Sequence, residues 1–451
     1  MLTSGSSEID CSRRVLLALS AANLLIFMGA GAQQQYLVTY LGAISGWGAV
    51  KRALVQATVY LAMMMFRLVN VWLLRRWSDR TQAIVGSLTY TGFCLAMAAL
   101  FWLRRGVVLP GGEGASYAFA LLSAAVWGWG GAAFWAGTSL LTIAATDEER
   151  RGGGGKGTDR NGPDAAPVAD HRLACGPSER RRPDAEGRRR YGTVSGVLLG
   201  STHAGWFVGV LLLGRLNEVL PPQHAFWLYL VAAAVTLPGT VVLALSPKVA
   251  HLPPEPPSLA RLREVATSRK ALIACFILLC SALTFGLMLG AFGDFVQAAY
   301  GKQYLWMLAS LYPLARMVFS VAGGAVSDRV GRAAALGTGF AVAAAGMLAS
   351  SLWRAPMAAG LAATTLGITS GVVPVIGMAL VGDSAERSRR PLVYGFLFAA
   401  RDLGVFAAAV LSRVIEAGRG DFAPAFAIFA VVFALCGGAA IPLSRRAAET
   451  I

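Results

Sequence analysis

Long apolar stretches recur along the whole chain, and each is long enough to cross a lipid bilayer as an α-helix. An α-helix rises about 1.5 Å per residue, so about 20 residues span a hydrocarbon core roughly 30 Å thick. The stretches are continuous rather than alternating, which argues against membrane-spanning strands. The sequence therefore predicts an all-α membrane protein. Twelve transmembrane spans are predicted, at 15–38, 53–75, 83–103, 116–143, 191–214, 225–246, 271–296, 304–325, 333–353, 356–381, 391–414 and 422–443.

The composition agrees with a membrane protein. Of 451 residues, 56% are hydrophobic and 14% are charged, whereas about 25% charged residues is usual in soluble domains. The net charge is +16, but most Lys and Arg lie in the tails and the even-numbered connections between spans. This distribution follows the positive-inside rule. We therefore expect a multi-pass protein of the plasma (inner) membrane with both termini in the cytoplasm, and no nucleic-acid partner.

The first residues and the cysteines carry no further targeting or catalytic signal. The segment 1–12 is short and polar, so we expect the first span to be retained rather than cleaved as a signal peptide. The six cysteines show neither metal-ligand nor disulfide spacing. No nucleophile–base pair, metal-ligand cluster or nucleotide-binding loop is visible in the sequence. We therefore expect neither an enzyme nor a metal site.

One short pattern occurs twice in the chain. Arg67 lies in an apolar run and is followed by Ser-Asp79-Arg80. The second copy has the same residues at Arg316, Asp328 and Arg329, each 249 residues further along. A tripeptide and an arginine that repeat at one offset indicate an internal duplication. The sequence therefore predicts two pseudo-symmetric bundles of six helices.

The repeat and the composition together divide the chain. The N-terminal bundle is predicted over 1–246 and the C-terminal bundle over 271–451, with a Pro-rich cytoplasmic linker at 247–270. Residues 151–190 are rich in Gly, Pro, Arg and Asp and are predicted to be a disordered cytoplasmic insertion. Because the second half makes the equivalent connection with far fewer residues, we expect folding and transport not to need this insertion.

Two arginines are predicted to lie deep in the membrane. The twelve residues from Arg67 to Asp79 rise roughly 18 Å as a helix, which places Arg67 near the midplane, and the repeat places Arg316 there too. A midplane arginine is costly unless it faces a cavity or a partner, although snorkelling to the interface is an alternative. Tyr60 and Tyr312 share the faces of these arginines and could donate a hydrogen bond to an anion that the arginines hold.

Three other charged or polar residues are expected in the middle of spans. Arg401 and Asp402 are adjacent in span 11, and neighbouring helical residues point about 100° apart, so they need not pair with each other. Asp402 could carry a proton, as proton coupling requires, or pair with an arginine. His203 in span 5 could relay protons or only bond a neighbour. The sequence leaves these alternatives open.

Two spans end in glycine-rich, polar segments on the outer side of the membrane. Gln35 follows two glycines at the end of span 1, and Asp294 follows two glycines at the end of span 7. These residues either line a cavity or cap the outer interface. Trp127 and Trp135 in span 4 are expected to pack tightly or to form an aromatic wall of a cavity.

The chain resembles the major facilitator superfamily in three features. It has twelve spans in two halves, an Asp-Arg pair in the second and eighth connections, and a long central loop. The segment Gly323-Gly-Ala-Val-Ser-Asp-Arg-Val-Gly-Arg332 is similar to the loop motif of that family, and the first copy is a degenerate match. The resemblance implies that these loops gate the cytoplasmic side through charge contacts to neighbouring helix ends. The gating residues would be Asp79, Arg80, Asp328, Arg329 and Arg332.

The sequence departs from two branches of that family. Ala125 stands where proton-coupled drug exporters carry an arginine, and span 5 lacks the Gly-Pro pair of the antiporters. Both departures argue against drug/proton antiport. Paired arginines in spans 2 and 8 are similar to those of nitrate/nitrite porters, whose glycine-containing signature this chain lacks.

These observations predict a secondary or facilitative transporter that moves a small anionic solute by alternating access. Two facing arginines favour an anion because they offer charge-assisted hydrogen bonds. The candidate substrate site comprises Arg67, Arg316, Tyr60, Tyr312, Asp402, Arg401, His203, Gln35 and Asp294. A transport-inactive scaffold that regulates a partner protein and a multidrug-type efflux pump are the alternatives. We expect a monomer whose partners are the solute and the bilayer. We expect no cofactor, and the sequence leaves coupling to H⁺ open.

Overall fold

The computed structural model of the chain is almost entirely helical. It describes residues 4–73, 76–104, 112–153, 185–246, 258–330, 332–384, 389–419 and 422–449, and no β-strand occurs among them. The α-helices are α1 (Ser4–Ser45), α2 (Ala49–Leu73), α3 (Asp79–Arg104), α4 (Gly112–Gly153), α5 (Ala185–Val219), α6 (Trp227–Leu245), α7 (Leu259–Thr267), α8 (Arg269–Leu287), α9 (Gly293–Tyr300), α10 (Lys302–Val330), α11 (Arg332–Leu352), α12 (Pro356–Ser384), α13 (Arg390–Arg419) and α14 (Ala423–Glu449). A 3₁₀ turn, Pro222–His224, precedes α6, and a π-helical turn, Met288–Phe292, joins α8 to α9.

The predicted all-α, twelve-helix class is confirmed. Eleven helices of the described chain are long and apolar enough to cross a membrane, and α14 contains a shorter apolar helix, Ala423–Ala439. The predicted spans 1–6 correspond to α1–α6, span 7 to α8, the π turn and α9 together, and spans 8–12 to α10–α14. Helices suit a bilayer because each one satisfies its own backbone hydrogen bonds, which lipid cannot do.

The structure differs from the sequence prediction at the two connections that were expected to be irregular. Helix α4 continues to Gly153 and α5 begins at Ala185, so 151–153 and 185–190 are helical rather than disordered. A helix already nucleated by an apolar span extends by a turn or two at little cost. The central part of the predicted insertion, 154–184, lies outside the described residues.

The predicted linker also contains regular structure. Residues 247–257 lie outside the described part, but α7 follows them as a nine-residue helix. Ser258 is its N-cap, because the Ser258 hydroxyl accepts a hydrogen bond from the backbone N–H of Arg261 at 3.2 Å. The proposed boundaries of the two bundles, at 246 and 271, stay a prediction.

The helices pack in two similar sets. Among the first six, α1 lies against α5 and α6, α3 against α4 and α6, and α2 against α4. Among the later helices, α10 lies against α12, α11 against α12 and α14, and α13 against α8. Two long contacts join the sets, α2 with α13 and α5 with α10. We call these two contacts the seams, because any motion of one set against the other must change them.

Glycines allow close approach at both seams. A Cβ added to Gly196 of α5 would lie 2.8 Å from the carbonyl oxygen of Ser320 on α10, which is too close for any other residue. A Cβ on Gly395 of α13 would lie 3.2 Å from the carbonyl oxygen of Arg67 on α2. Gly196 of α5 therefore lies on a surface of close helix packing.

The first copy of the Ser-Asp-Arg pattern begins a helix. The hydroxyl of Ser78 accepts a hydrogen bond from the backbone N–H of Thr81 at 3.2 Å, so Ser78 caps α3. Asp79 follows in the first turn, where a negative charge suits the positive end of the helix. Arg80 donates to the carbonyl oxygens of Leu243 and Ala244, which end α6. This copy therefore fixes the ends of two helices in the first half.

The second copy has a different local structure. Helix α10 continues to Val330, so Asp328 and Arg329 lie in its last turn rather than at the start of a helix, and Arg332 begins α11. The side chains of Asp328, Arg329 and Arg332 lie outside the described part of the structure. The gating role of both copies stays a prediction.

Candidate functional site

Arg316 lies in the middle of α10 with its side chain buried. Its Nε donates to the backbone carbonyl of Ser370 on α12 at 3.2 Å. Tyr312, one turn earlier, donates its hydroxyl to Ser370 Oγ at 2.8 Å, so α12 anchors both side chains. Within the described part of the chain, Arg316 has no ion pair with a carboxylate. Among the described residues, this buried positive charge therefore has no negative partner.

Aromatic rings surround the guanidinium group of Arg316. Its Cζ lies 5.0 Å from the ring centroid of Phe285, 5.7 Å from that of Trp206 and 5.9 Å from that of Tyr312. Phe285 and Tyr312 are nearly parallel, with ring centroids 6.3 Å apart, and Trp206 meets both rings edge-on. Cation–π attraction to these rings partly replaces the hydration that the buried charge has lost.

Arg67, Arg401 and Asp402 form a second charged group. Asp402 is fully buried, and its Oδ2 accepts a hydrogen bond from Arg67 Nε at 2.7 Å while its Oδ1 accepts one from Arg401 Nη1 at 3.0 Å. Arg67 belongs to α2 and Asp402 to α13, so this ion pair crosses a seam. Of the two alternatives that the sequence left open for Asp402, the geometry matches pairing with arginines. The adjacent Arg401 is one of its partners, because the long arginine side chain bends back to reach it.

A small cavity lies between the two sets of helices. Arg316 and Arg401 reach it, and Tyr60 and His203 also line it. Aromatic side chains from both halves form most of the remaining wall, namely Phe27, Trp127, Trp135, Trp206 and Phe285. The space left free holds about one to two water molecules. A larger solute therefore requires the walls to move apart.

The sequence-predicted residues fall into three places. Arg316, Arg401, Tyr60 and His203 line the cavity. Arg67, Asp402 and Tyr312 lie behind this lining, bonded to its members or their neighbours. Gln35 in α1 and Asp294 in the first turn of α9 lie nearer the end of the bundle opposite Asp79. The structure thus brings together the charged residues of α2, α10 and α13, but only two of the three arginines face the cavity.

His203 takes part in the α5–α10 seam. Its Nδ1 lies 3.1 Å from Ser320 Oγ on α10, and the Ser320 hydroxyl is also 3.4 Å from the carbonyl oxygen of Gly371 on α12. Tyr60 meets the ring of Phe285 edge-on, with centroids 5.7 Å apart, and so joins α2 to α8. Both residues therefore connect the two sets of helices at the cavity.

Asp294 lies at the centre of a second ionic cluster, at the end of the bundle opposite Asp79. Its carboxylate lies 3.2 Å from Arg52 Nη1 on α2 and 2.8 Å from Arg413 Nη2 on α13. Thr39 on α1 donates its hydroxyl to Asp294 Oδ1 at 3.3 Å. Arg413 also donates its Nε to the carbonyl oxygen of Gly290 in the π turn, at 2.6 Å. We call Arg52, Asp294 and Arg413 the outer cluster; it joins the two sets of helices.

Buried glutamines lie beside the outer cluster. Gln33 Nε2 donates to Gln56 Oε1 at 3.4 Å, and Gln34 lines the cavity. Within the described chain, Gln34 Oε1, Gln56 Nε2 and both polar atoms of Gln35 are buried without a hydrogen-bond partner. Buried polar groups without partners are costly, and one of these glutamines, Gln34, reaches the cavity.

Several site residues were missed from the sequence. Trp206 and Phe285 are aromatic residues in apolar spans, where nothing in a single sequence separates a cavity wall from ordinary packing. Arg413 was missed because it stands at the predicted end of span 11, where an arginine normally reaches the interface. Its signal was its spacing from Asp402, since eleven residues is close to three helical turns and places both on one side of α13.

Among the described residues, no group of three or more His, Cys, Asp or Glu side chains could hold a metal ion.

The second half of the chain, residues 274–450, matches the sequence model of a family described as the Major Facilitator Superfamily. No curated protein matches the sequence.

The fold has a counterpart among solved structures. The crystal structure of the human organic anion transporter MFSD10 (TETRAN) superposes with a TM-score of 0.59 and 14% sequence identity, over 95% of this chain and 99% of that chain. At this identity the likeness concerns the fold. That likeness of fold covers nearly the whole chain.

Proposed function

We propose that the chain is a member of the major facilitator superfamily and that it carries a small organic anion across its membrane by alternating access. Membership makes the protein an integral, multi-pass membrane protein of a transporter class, with a small-molecule substrate. The substrate class, the mechanism and the location in the plasma membrane with cytoplasmic termini are parts of the proposal, as is a monomeric state.

The observation that carries the proposal is the pair of arginines at the cavity. Arg316 and Arg401 both reach it, and Arg316 has no carboxylate partner among the described residues. A buried charge without a partner is expensive in a membrane, and an anion in the cavity would offset that cost. Arginine is suited to this role because its planar fork binds carboxylate and sulfonate oxygens in pairs.

The aromatic wall supports an organic rather than an inorganic anion. Trp127, Trp135, Trp206 and Phe285 offer apolar faces beside the two charges, which suits a solute with an anionic head and an apolar body. A strongly hydrated inorganic ion would have to lose its water in this space, and the aromatic faces would offer it no hydrogen bonds in return. The similar fold of MFSD10, which is described as an organic anion transporter, supports the same substrate class.

Alternating access requires the seams to change and each end to open in turn. We propose that the outer cluster closes the outer end, because Asp294 holds arginines from both sets of helices. Asp402 accepts hydrogen bonds from two arginines, so its carboxyl group lies between two positive charges. We therefore propose that it acts as a counter-ion rather than as a proton carrier, with no cofactor.

A thermal-shift measurement on purified protein tests this proposal. Benzenesulfonate is a permanent anion with an apolar ring, and benzenesulfonamide is its uncharged counterpart. We expect benzenesulfonate to raise the melting temperature with saturation and the sulfonamide to have no effect, because only the anion binds the arginines. Equal shifts from both compounds would remove the anionic substrate class. Binding without any uptake into vesicles would favour the transport-inactive scaffold instead.

A further inference from the structure

We infer that Asp402 is an internal competitor of the transported anion for Arg401, and that through Arg67 it couples anion binding to the α2–α13 seam. The inference rests on the proposed function, because it concerns how the same site is tuned. It assigns Asp402 and Arg67 the role of positioning residues that act on the anion through Arg401.

The geometry places Arg401 between two negative partners. Its guanidinium lines the cavity, yet Nη1 is already bonded to Asp402 Oδ1 at 3.0 Å. Asp402 is not itself part of the cavity wall, and its other oxygen bonds Arg67 at 2.7 Å. An anion that approaches Arg401 therefore meets a charge that Asp402 has partly neutralised.

The count of charges explains why the competition matters. Arg67, Arg316 and Arg401 are buried with one buried carboxylate, Asp402, among them. In the empty site Asp402 is shared between Arg67 and Arg401. When an anion binds Arg316 and Arg401, Asp402 can pair with Arg67 alone, so that each negative group has its own arginine partner. Charge separation at this depth is costly, so the protein gains from that rearrangement.

The rearrangement changes a contact that crosses a seam. Arg67 is on α2, whereas Asp402 and Arg401 are on α13. The Cζ atom of Arg67 also lies 5.8 Å from the ring centroid of Tyr394 and 5.6 Å from that of Phe398. Both rings belong to α13, so Arg67 contacts that helix through several side chains. Occupancy of the cavity therefore alters the strength of the tie between α2 and α13 without direct contact between the anion and Arg67.

Two variants should change the affinity in opposite directions. Asp402→Asn removes the competitor, so we expect benzenesulfonate to bind roughly tenfold more tightly. Arg67→Gln leaves Asp402 with Arg401 as its only arginine partner, so we expect roughly tenfold weaker binding, although Arg67 does not line the cavity. In the double variant Arg67→Gln has no carboxylate left to act through, so the affinity should equal that of Asp402→Asn.

The measurement is a titration of tryptophan fluorescence with benzenesulfonate, since three tryptophans line the cavity. Arg67→Lys separates charge from shape: it keeps the charge that holds Asp402, so it should weaken binding less than Arg67→Gln. The comparison of Arg67→Lys with Arg67→Gln still tests the inference if Asp402→Asn does not give folded protein.

The outcomes separate this inference from the proposed function. Weaker binding in both single variants, with a double variant that binds no more tightly than Arg67→Gln, would mean that Arg67 and Asp402 only support the fold or touch the anion directly, and would overturn the inference. Unchanged affinity in all three variants would overturn it as well. If Arg316→Gln retains full binding, the proposed site itself is wrong.

Discussion

At the level of single residues, three buried arginines differ in their surroundings. Arg67 is bonded to Asp402, Arg401 is bonded to Asp402 and open to the cavity, and Arg316 is open to the cavity among aromatic rings. The sequence predicted that buried arginines would form the site, because the repeat placed Arg67 and Arg316 at the same depth. It could not predict which of them faces the cavity, because the rotation of a helix about its axis depends on its neighbours.

Substitution of Arg316 should weaken anion binding strongly. Loss of one partner of a buried, charge-assisted contact costs about 2–5 kcal/mol, so Arg316→Gln should reduce the affinity for benzenesulfonate roughly thirty-fold or more. Arg316→Lys should recover part of this loss, because lysine keeps the charge but lacks the planar fork. Fluorescence titrations with benzenesulfonate measure the affinity of both variants. Arg263→Gln, on the exposed face of α7, is the control. Equal affinities in all three proteins would exclude Arg316 from the site.

At the level of elements, the π turn between α8 and α9 is the feature that hydropathy could not reveal. The apolar run and its glycines predicted a loosened helix end, but a π turn depends on partners from other helices. Arg413 bonds the carbonyl oxygen of Gly290 inside this turn, and a Cβ on Gly290 would lie 2.7 Å from Cα of Ala409 on α13. The turn thus lets α13 approach and presents Asp294 to Arg52 and Arg413.

Neutralisation of Asp294 should open the outer end. Asp294→Asn leaves Arg52 and Arg413 close together without their shared carboxylate, so the two sets of helices lose an attraction and gain a repulsion. A cysteine introduced at the buried Gln33 should then react several-fold faster with a membrane-impermeant thiol reagent added from outside.

The control for this experiment is Glu113→Gln. Glu113 pairs with Lys51 at 2.8 Å on the same end of the bundle, but this pair is exposed and lies within the first set of helices. Glu113→Gln should leave unchanged the rate at which the cysteine introduced at position 33 is labelled. A rate in Asp294→Asn equal to that of the control would show that the outer cluster does not close this end.

At the level of the whole molecule, the apolar spans and the repeat were enough to predict the fold class. The outward faces of the helices are apolar because lipid surrounds them, and this pattern can be read without knowledge of tertiary contacts. The seams were not predictable in the same way. Contacts such as Arg67 with Asp402 join residues that are hundreds of positions apart in the sequence, and a single sequence carries no record of such pairs.

The central claim is that two arginines in an aromatic cavity make this protein an organic anion transporter. Uptake of labelled benzenesulfonate into proteoliposomes tests this claim most directly, because a permanent anion does not leak through lipid as a neutral acid. We expect saturable uptake by the wild-type protein and by Arg263→Gln, and uptake near the protein-free background with Arg316→Gln. Uptake by Arg316→Gln equal to that of the wild type, or no uptake of the anion by folded wild-type protein that binds it, would contradict the claim.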